Sequence, residues 1–298
     1  MLVAVTGGTG FVGSALVKAL LDRGDEVWVI TRSKSSVKQR HPQLHAETWN
    51  EFIGRPSGFH GLDAIVNLAG ESIDQRWTAA AKDRILDSRV QAAGKIGYLV
   101  DVMRDKPKVV VNASGISYYG TSRTETFDER SPKRVTDFLS GVVEKWEEAA
   151  DRIKETRVVK LRVGMVLGRD EGALPRMAAP YRFYAGGRVG SGKQWISWIH
   201  IDDIVRLILF CIEHPEISGP VNATAPEPLT MDDFGKAIGR ALGKPHWLPV
   251  PAFLLKLMFG EMSVLVLEGQ RVLPRTALEA GFTFEYPDAD KALGSLLR

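Results

Sequence analysis

A glycine-rich segment between a short apolar run and a helical pattern constrains the fold of this chain most strongly. Leu2 to Thr6 has the composition of a buried β-strand, and Gly7, Gly10 and Gly13 follow it at three-residue intervals. From Phe11 to Arg23, apolar side chains recur at the three-and-four spacing of one buried helix face. Such glycines permit a tight turn, close approach of backbone N–H groups to a pyrophosphate, and close helix–strand packing. The order strand, loop and helix therefore predicts a Rossmann-type dinucleotide site.

The end of the second predicted strand, Glu26 to Thr31, indicates which dinucleotide binds. An acidic residue at this point favours NAD through the ribose 2′-hydroxyl, whereas an arginine favours the 2′-phosphate of NADP. Here the chain continues as Arg32, Ser33 and Lys34. Because a guanidinium can bind phosphate bidentately and stack on adenine, we expect NADP(H) as the cofactor. The alternative is that Arg32 is an ordinary solvated surface charge.

Short apolar runs alternate with helical patterns over the first two thirds of the chain, which predicts an α/β fold with a doubly wound parallel sheet. Further strands are expected at His45 to Trp49, Asp63 to Leu68, Lys108 to Ser114 and Arg157 to Val163, and further helices at Thr78 to Asp105 and Asp137 to Lys154. The Gly-, Pro- and Arg-rich segment Gly172 to Gly192 is predicted to be a long loop. We expect a Rossmann domain over residues 1–225, whose inserted loop 168–196 contributes to a cap. A small, mostly helical C-terminal domain should follow over 226–298.

Composition is that of an ordinary folded protein. Of the 298 residues, 44% are hydrophobic and 25% are charged, enough to build a large core. The net charge of +3 comes from scattered Lys and Arg, so we do not expect nucleic acid as a partner. Cys211 is the single cysteine, which excludes an intrachain disulfide and predicts a core thiol. Because His, Cys and carboxylates lack metal-ligand spacing, no metal is expected.

The apolar segments are too short or too interrupted to predict a signal peptide or a transmembrane helix. No charged leader precedes Leu2 to Val5, and Lys256 and Glu261 interrupt the most apolar later stretch, Val250 to Leu267. We therefore expect neither a signal peptide nor a transmembrane helix, no membrane partner, and a cytoplasmic location.

Several motifs resemble those of one enzyme family. The Gly7, Gly10 and Gly13 spacing is similar to the fingerprint of the extended short-chain dehydrogenases/reductases, which include nucleotide-sugar epimerases and dehydratases. Further similar segments are Asn67 to Gly70, Ser114 to Gly120 and Ile199 to Asp203. The chain also resembles a little-characterised subgroup of that family, which is labelled epimerase-family or atypical and carries a small C-terminal domain of unknown function. The segments similar to this subgroup are Arg76 to Thr78, Gly190 to Trp195, Trp198 to Asp203 and Gly269 to Pro274. Membership of that subgroup implies NADP(H) binding and an unsettled reaction.

The expected cofactor contacts come from five segments of the chain. They are Gly7, Thr9, Gly10, Phe11, Val12 and Gly13 in the first loop, Arg32, Ser33 and Lys34 after the second strand, Leu68, Ala69 and Gly70 after the fourth, and Ser114 and Gly164 after later strands.

The catalytic pair of the family is missing. Active members use a Tyr as general acid/base, with a Lys four residues later that lowers its pKa and holds the nicotinamide ribose. No tyrosine of this chain has Lys at the fourth following position, and Leu139 and Val143 occupy the two places on the helix where the pair belongs. Candidates to polarise or protonate a substrate carbonyl are instead Ser114, Tyr118 and Tyr119, at a strand end that should face the cofactor. The alternative for both tyrosines is packing of their rings beneath the cap.

Four residues are candidates to contact a substrate. Glu71 and Arg76 follow the predicted Ala69-Gly70 turn, where they would bind a polar substrate or pair with each other. Trp195 lies in a basic loop suited to an anionic or planar ligand. His200 precedes Asp202, the expected N-cap of a helix beginning near Asp203, which favours a structural histidine over a proton donor.

Two functions are consistent with these patterns. The first is an NADP(H)-dependent oxidoreductase, or an epimerase-like enzyme, acting on an unidentified small carbonyl or hydroxyl substrate. The second is a nonenzymatic NADP(H)-binding protein that regulates or senses redox state through a protein partner. A homodimeric state stays open.

Overall fold

The computed structural model describes residues 1–38, 40–55 and 59–298. Its centre is a seven-stranded sheet in the order β11-β7-β5-β4-β1-β2-β3, in which every neighbouring pair is parallel. These strands are β1 (Leu2–Thr6), β2 (Glu26–Thr31), β3 (Leu44–Thr48), β4 (Ala64–Asn67), β5 (Val109–Gly115), β7 (Arg157–Val163) and β11 (Gly219–Ala223). Short strands outside the sheet are β6 (Thr126–Phe127), β8 (Met165–Leu167), β9 (Trp195–Ile196), β10 (Trp198–His200), β12 (Leu229–Thr230) and β13 (Arg271–Val272). The doubly wound α/β fold is confirmed.

Helices cover both faces of the sheet, and others form the C-terminal region. In chain order they are α1 (Phe11–Asp22), α2 (Trp49–Gly54), α3 (Ala79–Val102), α4 (Phe138–Ala150), α5 (Leu174–Arg182), α6 (Ile201–Glu213), α7 (Met231–Leu242), α8 (Ala252–Phe259), α9 (Val264–Leu267), α10 (Arg275–Glu279) and α11 (Ala289–Leu297). Leu16 of α1 and Ile208 of α6 pack in one core with Val3 of β1, while Ile96 of α3 packs in the opposite core with Ala4. Since successive strand residues point to opposite faces, this alternation fixes the register of the sheet.

The strand order reverses between β1 and β4, where the chain crosses from one half of the sheet to the other. In open parallel sheets, ligands bind outside the carboxyl ends of the strands at such a switch point. The glycine loop leaves β1 at this edge, so the topology opens a crevice at the predicted dinucleotide site.

Three sequence expectations for the elements are wrong. Trp49 begins α2 and does not end β3, because Thr48 and Glu51 form a capping box: Thr48 Oγ1 accepts from Glu51 N at 3.3 Å, and Glu51 Oε2 accepts from Thr48 N at 2.9 Å. The predicted long loop Gly172 to Gly192 contains helix α5. The helix expected near Asp203 begins at Ile201, and its N-cap is His200 in place of Asp202.

A second core joins the α5 segment to the C-terminal helices. Its members are buried and mainly apolar, and they include Leu167, Leu174, Ala178, Tyr181, Trp198, Phe234, Ile238, Ala292 and Leu293. This packing supports the proposal that the insertion over 168–196 contributes to the cap, and the domain limits at 225 and 226 stay a proposal. Across the described ranges, no helix combines the length and apolarity that a membrane crossing requires.

Candidate functional site

A cavity of about 430 Å³ opens at the carboxyl edge of β1, β2 and β4. Its volume is in the range of small-molecule sites. The lining residues come from the glycine loop, the end of β2, the start of α2, the turn after β4, and α3: Gly7, Thr9, Gly10, Ile30, Thr31, Arg32, Trp49, Leu68, Ala69, Gly70, Glu71, Ser88, Gln91, Ala92 and Lys95. Seven of the predicted cofactor residues therefore meet around one cavity.

Close backbone contacts explain the glycines of the first loop. Gly7 has φ +69°, and a Cβ there would lie 2.6 Å from the Leu68 carbonyl oxygen. A Cβ at Gly13 would lie 2.1 Å from the Gly7 carbonyl oxygen, so only glycine lets α1 pack this close to β1. Gly10 is the N-cap of α1 and supplies no side-chain acceptor, which leaves N–H groups of the first turn available to an anion. The loop has the geometry of a phosphate cradle.

At the other end of the cavity, Arg32 is exposed and forms no ion pair with any described residue. Lys34 is engaged within the protein, because its Nζ lies 2.9 Å from Glu47 Oε2 and 2.8 Å from Glu51 Oε1. The hydrogen bond from Lys34 is the main cause that lowers the pKa of Glu51. Arg32 is therefore the cation left available for a phosphate at the end of β2.

Other predicted cofactor residues lie away from the cavity lining. The ring of Phe11 packs against Gly168 and Gly172, and a Cβ at Gly164 would lie 2.5 Å from the Ser197 carbonyl oxygen. Val12 packs against the core beneath α1, and Ser33 is exposed and hydrogen-bonds Ser35 at 2.9 Å. These positions have a structural explanation in the packing of the loops around the site.

Residues of α2 and α3 complete the cavity although the sequence did not indicate them. Lys95 Nζ lies 5.3 Å from the ring centroid of Trp49, so an aromatic ring and a cation form one wall together. Ser88 Oγ accepts a hydrogen bond from Glu71 N at 2.9 Å, and Arg89 Nη1 donates to Glu71 O at 2.9 Å. Helical periodicity identifies the core-facing side of α3 but carries no signal for the side that faces a ligand.

Packed apolar side chains lie at the two positions of α4 where the family resemblance predicts the catalytic pair. Leu139 is 9% exposed and packs in a cluster with Trp77 and Ile85. Val143 is buried, with a methyl group 3.2 Å from the Cβ position of Gly115. Neither position of α4 offers a group that can move a proton.

Ser114 and Tyr119, both predicted catalytic candidates, lie in one buried polar network. Ser114 Oγ donates to Glu147 Oε1 at 2.7 Å, and Tyr119 donates to Asn222 Oδ1 at 2.8 Å while accepting from Arg162 Nη1 at 2.8 Å. Arg162 also donates from Nε and Nη2 to Glu147, at 2.7 and 2.9 Å. Burial raises the pKa of Tyr119 to about 12, which opposes its ionisation. Both hydroxyls are committed to internal hydrogen bonds.

Tyr118 is the candidate whose hydroxyl remains available. It is half-buried, and the Arg162 guanidinium carbon lies 3.3 Å from its ring centroid. Over the described ranges, its hydroxyl makes no hydrogen bond, unlike that of Tyr119. Contacts with Arg162 and with Tyr119, at 5.3 Å between ring centroids, hold the ring of Tyr118, while its hydroxyl has no described protein partner.

The four substrate candidates are not brought together. Glu71 lines the cavity and lies near Gln75 and Arg84. Arg76 is exposed, and within the described residues it forms no ion pair with Glu71. Trp195 donates from Nε1 to the Arg123 carbonyl at 2.9 Å. His200 is 2% exposed.

Three contacts fix His200 in place. Its Nε2 lies 3.1 Å from Ser295 Oγ, its ring stacks on Tyr286 at 3.7 Å, and Nδ1 accepts from Asp202 N at 3.1 Å. Among the described residues, no cluster of three or more His, Cys, Asp or Glu side chains could hold a metal ion.

The reversed strand order, the phosphate cradle and the cavity beside it define a Rossmann-type dinucleotide-binding protein. The sequence profile of the NAD dependent epimerase/dehydratase family matches residues 3–223, and the chain belongs to this family. A domain of unknown function, DUF1731, matches residues 250–296. The resemblance seen in the motifs is confirmed.

Relatives align over the whole chain. The epimerase family protein YfhF of Bacillus subtilis is 42% identical over 100% of this chain and 98% of its own length. A chloroplastic SDR39U1 homologue of Arabidopsis thaliana is 40% identical over 100% of this chain and 87% of its own. The crystal structure of the human epimerase family protein SDR39U1 with NADPH superposes with a TM-score of 0.90 at 37% identity, covering 99% of each chain. MoeE5 in complex with UDP-glucose and NAD, at 18% identity and a TM-score of 0.77, shares the fold.

Proposed function

We propose that this protein binds NADP(H) and acts as an oxidoreductase or epimerase-like enzyme on a small carbonyl or hydroxyl substrate. The observation that carries the proposal is that one cavity joins the phosphate cradle at Gly7 and Gly10 to the available guanidinium of Arg32. Backbone N–H groups at a helix N-terminus suit a pyrophosphate, and an arginine after β2 suits a 2′-phosphate. The NADPH in the human relative's structure supports the same choice of dinucleotide.

The residues of this chain would hold and orient the cofactor, which supplies hydride chemistry when bound. Arg32 would bind the 2′-phosphate, with Trp49 and Lys95 forming the facing wall. Leu139 and its apolar neighbours would exclude water near the reacting carbon. Tyr118 would donate a hydrogen bond to the substrate oxygen. Three other assignments stay predictions. Contacts with the cofactor are predicted for Thr9, Phe11, Val12, Ser33, Lys34, Ser114 and Gly164, and contacts with a substrate for Glu71, Arg76, Trp195 and His200. A cytoplasmic location is the third.

A substrate screen tests the catalytic part of this proposal. Purified protein with NADPH would be presented with small carbonyls and sugar nucleotides while cofactor absorbance is followed. With an active substrate, Tyr118→Phe should lower kcat about 100-fold or more, the scale of a lost proton donor. Tyr98→Phe removes an exposed hydroxyl elsewhere and should leave kcat unchanged, since Tyr98 is 56% exposed on α3. Equal rates in wild type and Tyr118→Phe would contradict the role of Tyr118.

One observation favours a nonenzymatic alternative, in which NADP(H) binding controls a protein partner. Leu139 and Val143 fill the family's acid/base positions with packed aliphatic groups. This function predicts tight NADPH binding without turnover on any screened substrate. It also predicts that different proteins are recovered with the NADPH-bound and the NADP⁺-bound forms, and identical recovery in both states would contradict it.

A further inference from the structure

Arg89 is a largely buried cation without a carboxylate partner. Its Nη1 donates to the carbonyl oxygens of Glu71 and Ile85, both at 2.9 Å. Within the described part of the chain it forms no ion pair, whereas the neighbouring Arg84 lies 3.9 Å from Glu71 Oε1. Burial lowers the pKa of Arg89 to about 10, and the Glu71 carboxylate only partly opposes that effect. The positive charge is retained at neutral pH but is poorly compensated by the protein.

This charge lies directly against the wall of the cofactor cavity. A Cβ at Gly70 would lie 3.0 Å from the guanidinium carbon of Arg89, and Gly70 lines the cavity. On the other side, the guanidinium lies 5.2 Å from the ring centroid of Trp146, whose buried Nε1 has no hydrogen-bond partner among the described residues. Because buried charges are normally paired and buried N–H groups normally hydrogen-bonded, a cation without an ion pair beside an unpaired indole N–H indicates a functional requirement.

The sheet order places Arg89 on the opposite side of the site from Arg32. Arg32 follows β2, on one side of β1, whereas Gly70 follows β4, on the other. A dinucleotide with its pyrophosphate at the glycine loop and its adenosine at Arg32 would extend its nicotinamide towards β4 and β5. Trp146 is one helical turn beyond Val143, the position where active family members carry a lysine. Arg89 therefore approaches from α3 the region that the missing lysine would occupy from α4.

We infer that Arg89 replaces this lysine as the positive charge of the nicotinamide region and makes the protein bind NADPH more tightly than NADP⁺. The inference rests on the NADP(H) binding proposed above. The nicotinamide ring of NADP⁺ is positively charged and that of NADPH is not, so an uncompensated cation disfavours only the oxidised form. For unit charges about 10 Å apart at an effective dielectric constant of about 20, the effect on a binding constant is about tenfold. A tenfold preference raises the potential of the bound two-electron couple by about 30 mV.

The test measures the ratio of the dissociation constants of NADP⁺ and NADPH. NADPH would be titrated by its own fluorescence and NADP⁺ by displacement, on wild type and on two neutral variants, Arg89→Gln and Arg89→Met. Arg89→Met loses the hydrogen bond to the Glu71 carbonyl, and thermal unfolding would show whether that loss impairs folding. Arg89→Gln is neutral as well but keeps an N–H donor for this carbonyl. Arg89→Lys keeps the charge. Arg84→Met is the matched control, because it removes a positive charge that is 56% exposed from the same helix.

The expected result is a ratio that falls about tenfold in the neutral variants and is retained in Arg89→Lys and Arg84→Met. Loss of a purely structural contact would weaken both forms of the cofactor equally and leave the ratio unchanged. An unchanged ratio in a neutral variant that still binds NADPH would overturn the inference about Arg89 but not the proposed cofactor binding. A fall of the ratio in Arg84→Met equal to that in the neutral Arg89 variants would overturn it as well. If wild type bound neither dinucleotide, the proposed cofactor function itself would fail.

Discussion

Removing either partner of the pair formed by Glu147 and Arg162 should destabilise the protein strongly, because both side chains are buried and the remaining charge would lose its main partner. Arg162 is 2% exposed and Glu147 is 3% exposed, and two nitrogens of the guanidinium bind the two carboxylate oxygens. The Arg162→Met variant would leave the carboxylate with Ser114 at 2.7 Å and Lys160 at 3.4 Å as its remaining partners. Removing one partner of a buried ion pair costs about 3–5 kcal/mol. That loss is about a fifth or more of the stability of a typical domain.

Urea unfolding followed by tryptophan fluorescence measures this cost. The double variant Glu147→Gln/Arg162→Met removes both charges, so it should be more stable than Arg162→Met by about 2 kcal/mol or more. The exposed pair Arg240 and Asp290 is the control: Nε donates to Oδ1 at 3.0 Å and Nη2 donates to Oδ2 at 2.9 Å, but the side chains are 59% and 61% exposed. Arg240→Met should cost about 1 kcal/mol or less. Equal losses in the two single variants would refute the reasoning from burial.

Three further predictions follow from the packing. Gly13→Ala should destabilise the protein by about 1–3 kcal/mol, because its Cβ would lie 2.1 Å from the Gly7 carbonyl oxygen. Gly94 of α3 has open space around its Cβ position, so Gly94→Ala should stabilise the protein by about 0.5–1 kcal/mol. Thermal unfolding compares the two variants. Burial opposes ionisation of Glu147, but Arg162 outweighs it and holds the pKa of Glu147 below its ordinary value. Its stabilising contribution should therefore be present above the unfolded-state pKa and lost as pH falls through the folded-state pKa, and Glu147→Gln should flatten that part of the pH–stability curve. Burial raises the pKa of Cys211 to about 12, so thiol reagents should modify it only on unfolding, and labelling of the native protein would contradict this.

The sheet and the phosphate cradle could be predicted because local patterns specify them. The run Leu2 to Thr6, the glycine spacing and the apolar face of α1 all agree on one structure, and β2 ends where Arg32 was expected to follow it. Strand β11 (Gly219–Ala223) was not predicted, because Gly219 and Pro220 at its start are typical of turns. Helix α5 was missed for a similar reason, since prolines at its N-terminus and at Pro180 gave the segment the composition of a loop.

The chemistry of the site could not be predicted to the same depth, because it depends on contacts between distant segments. The sequence placed Ser114 and Tyr119 near a strand end, but their hydrogen bonds to Glu147, Arg162 and Asn222 arise only when α4, β7 and β11 are assembled. No local sequence pattern indicates that Arg89 of α3 approaches the turn after β4 either, since a single arginine in a helix is usually solvated.

Titration of the purified protein with NADPH and with NADH, followed by intrinsic tryptophan fluorescence, tests the central claim most directly. Arg32→Ala would be titrated in parallel, with Arg40→Ala as a control for the loss of another exposed positive charge, which follows later in the sequence. Because charge-assisted hydrogen bonds contribute about 1.5–3 kcal/mol, wild type should prefer NADPH by about tenfold to a hundredfold. That preference should collapse in Arg32→Ala and persist in Arg40→Ala. Equal affinity of wild type for the two cofactors, or binding of neither, would contradict the assignment of this cavity to NADP(H).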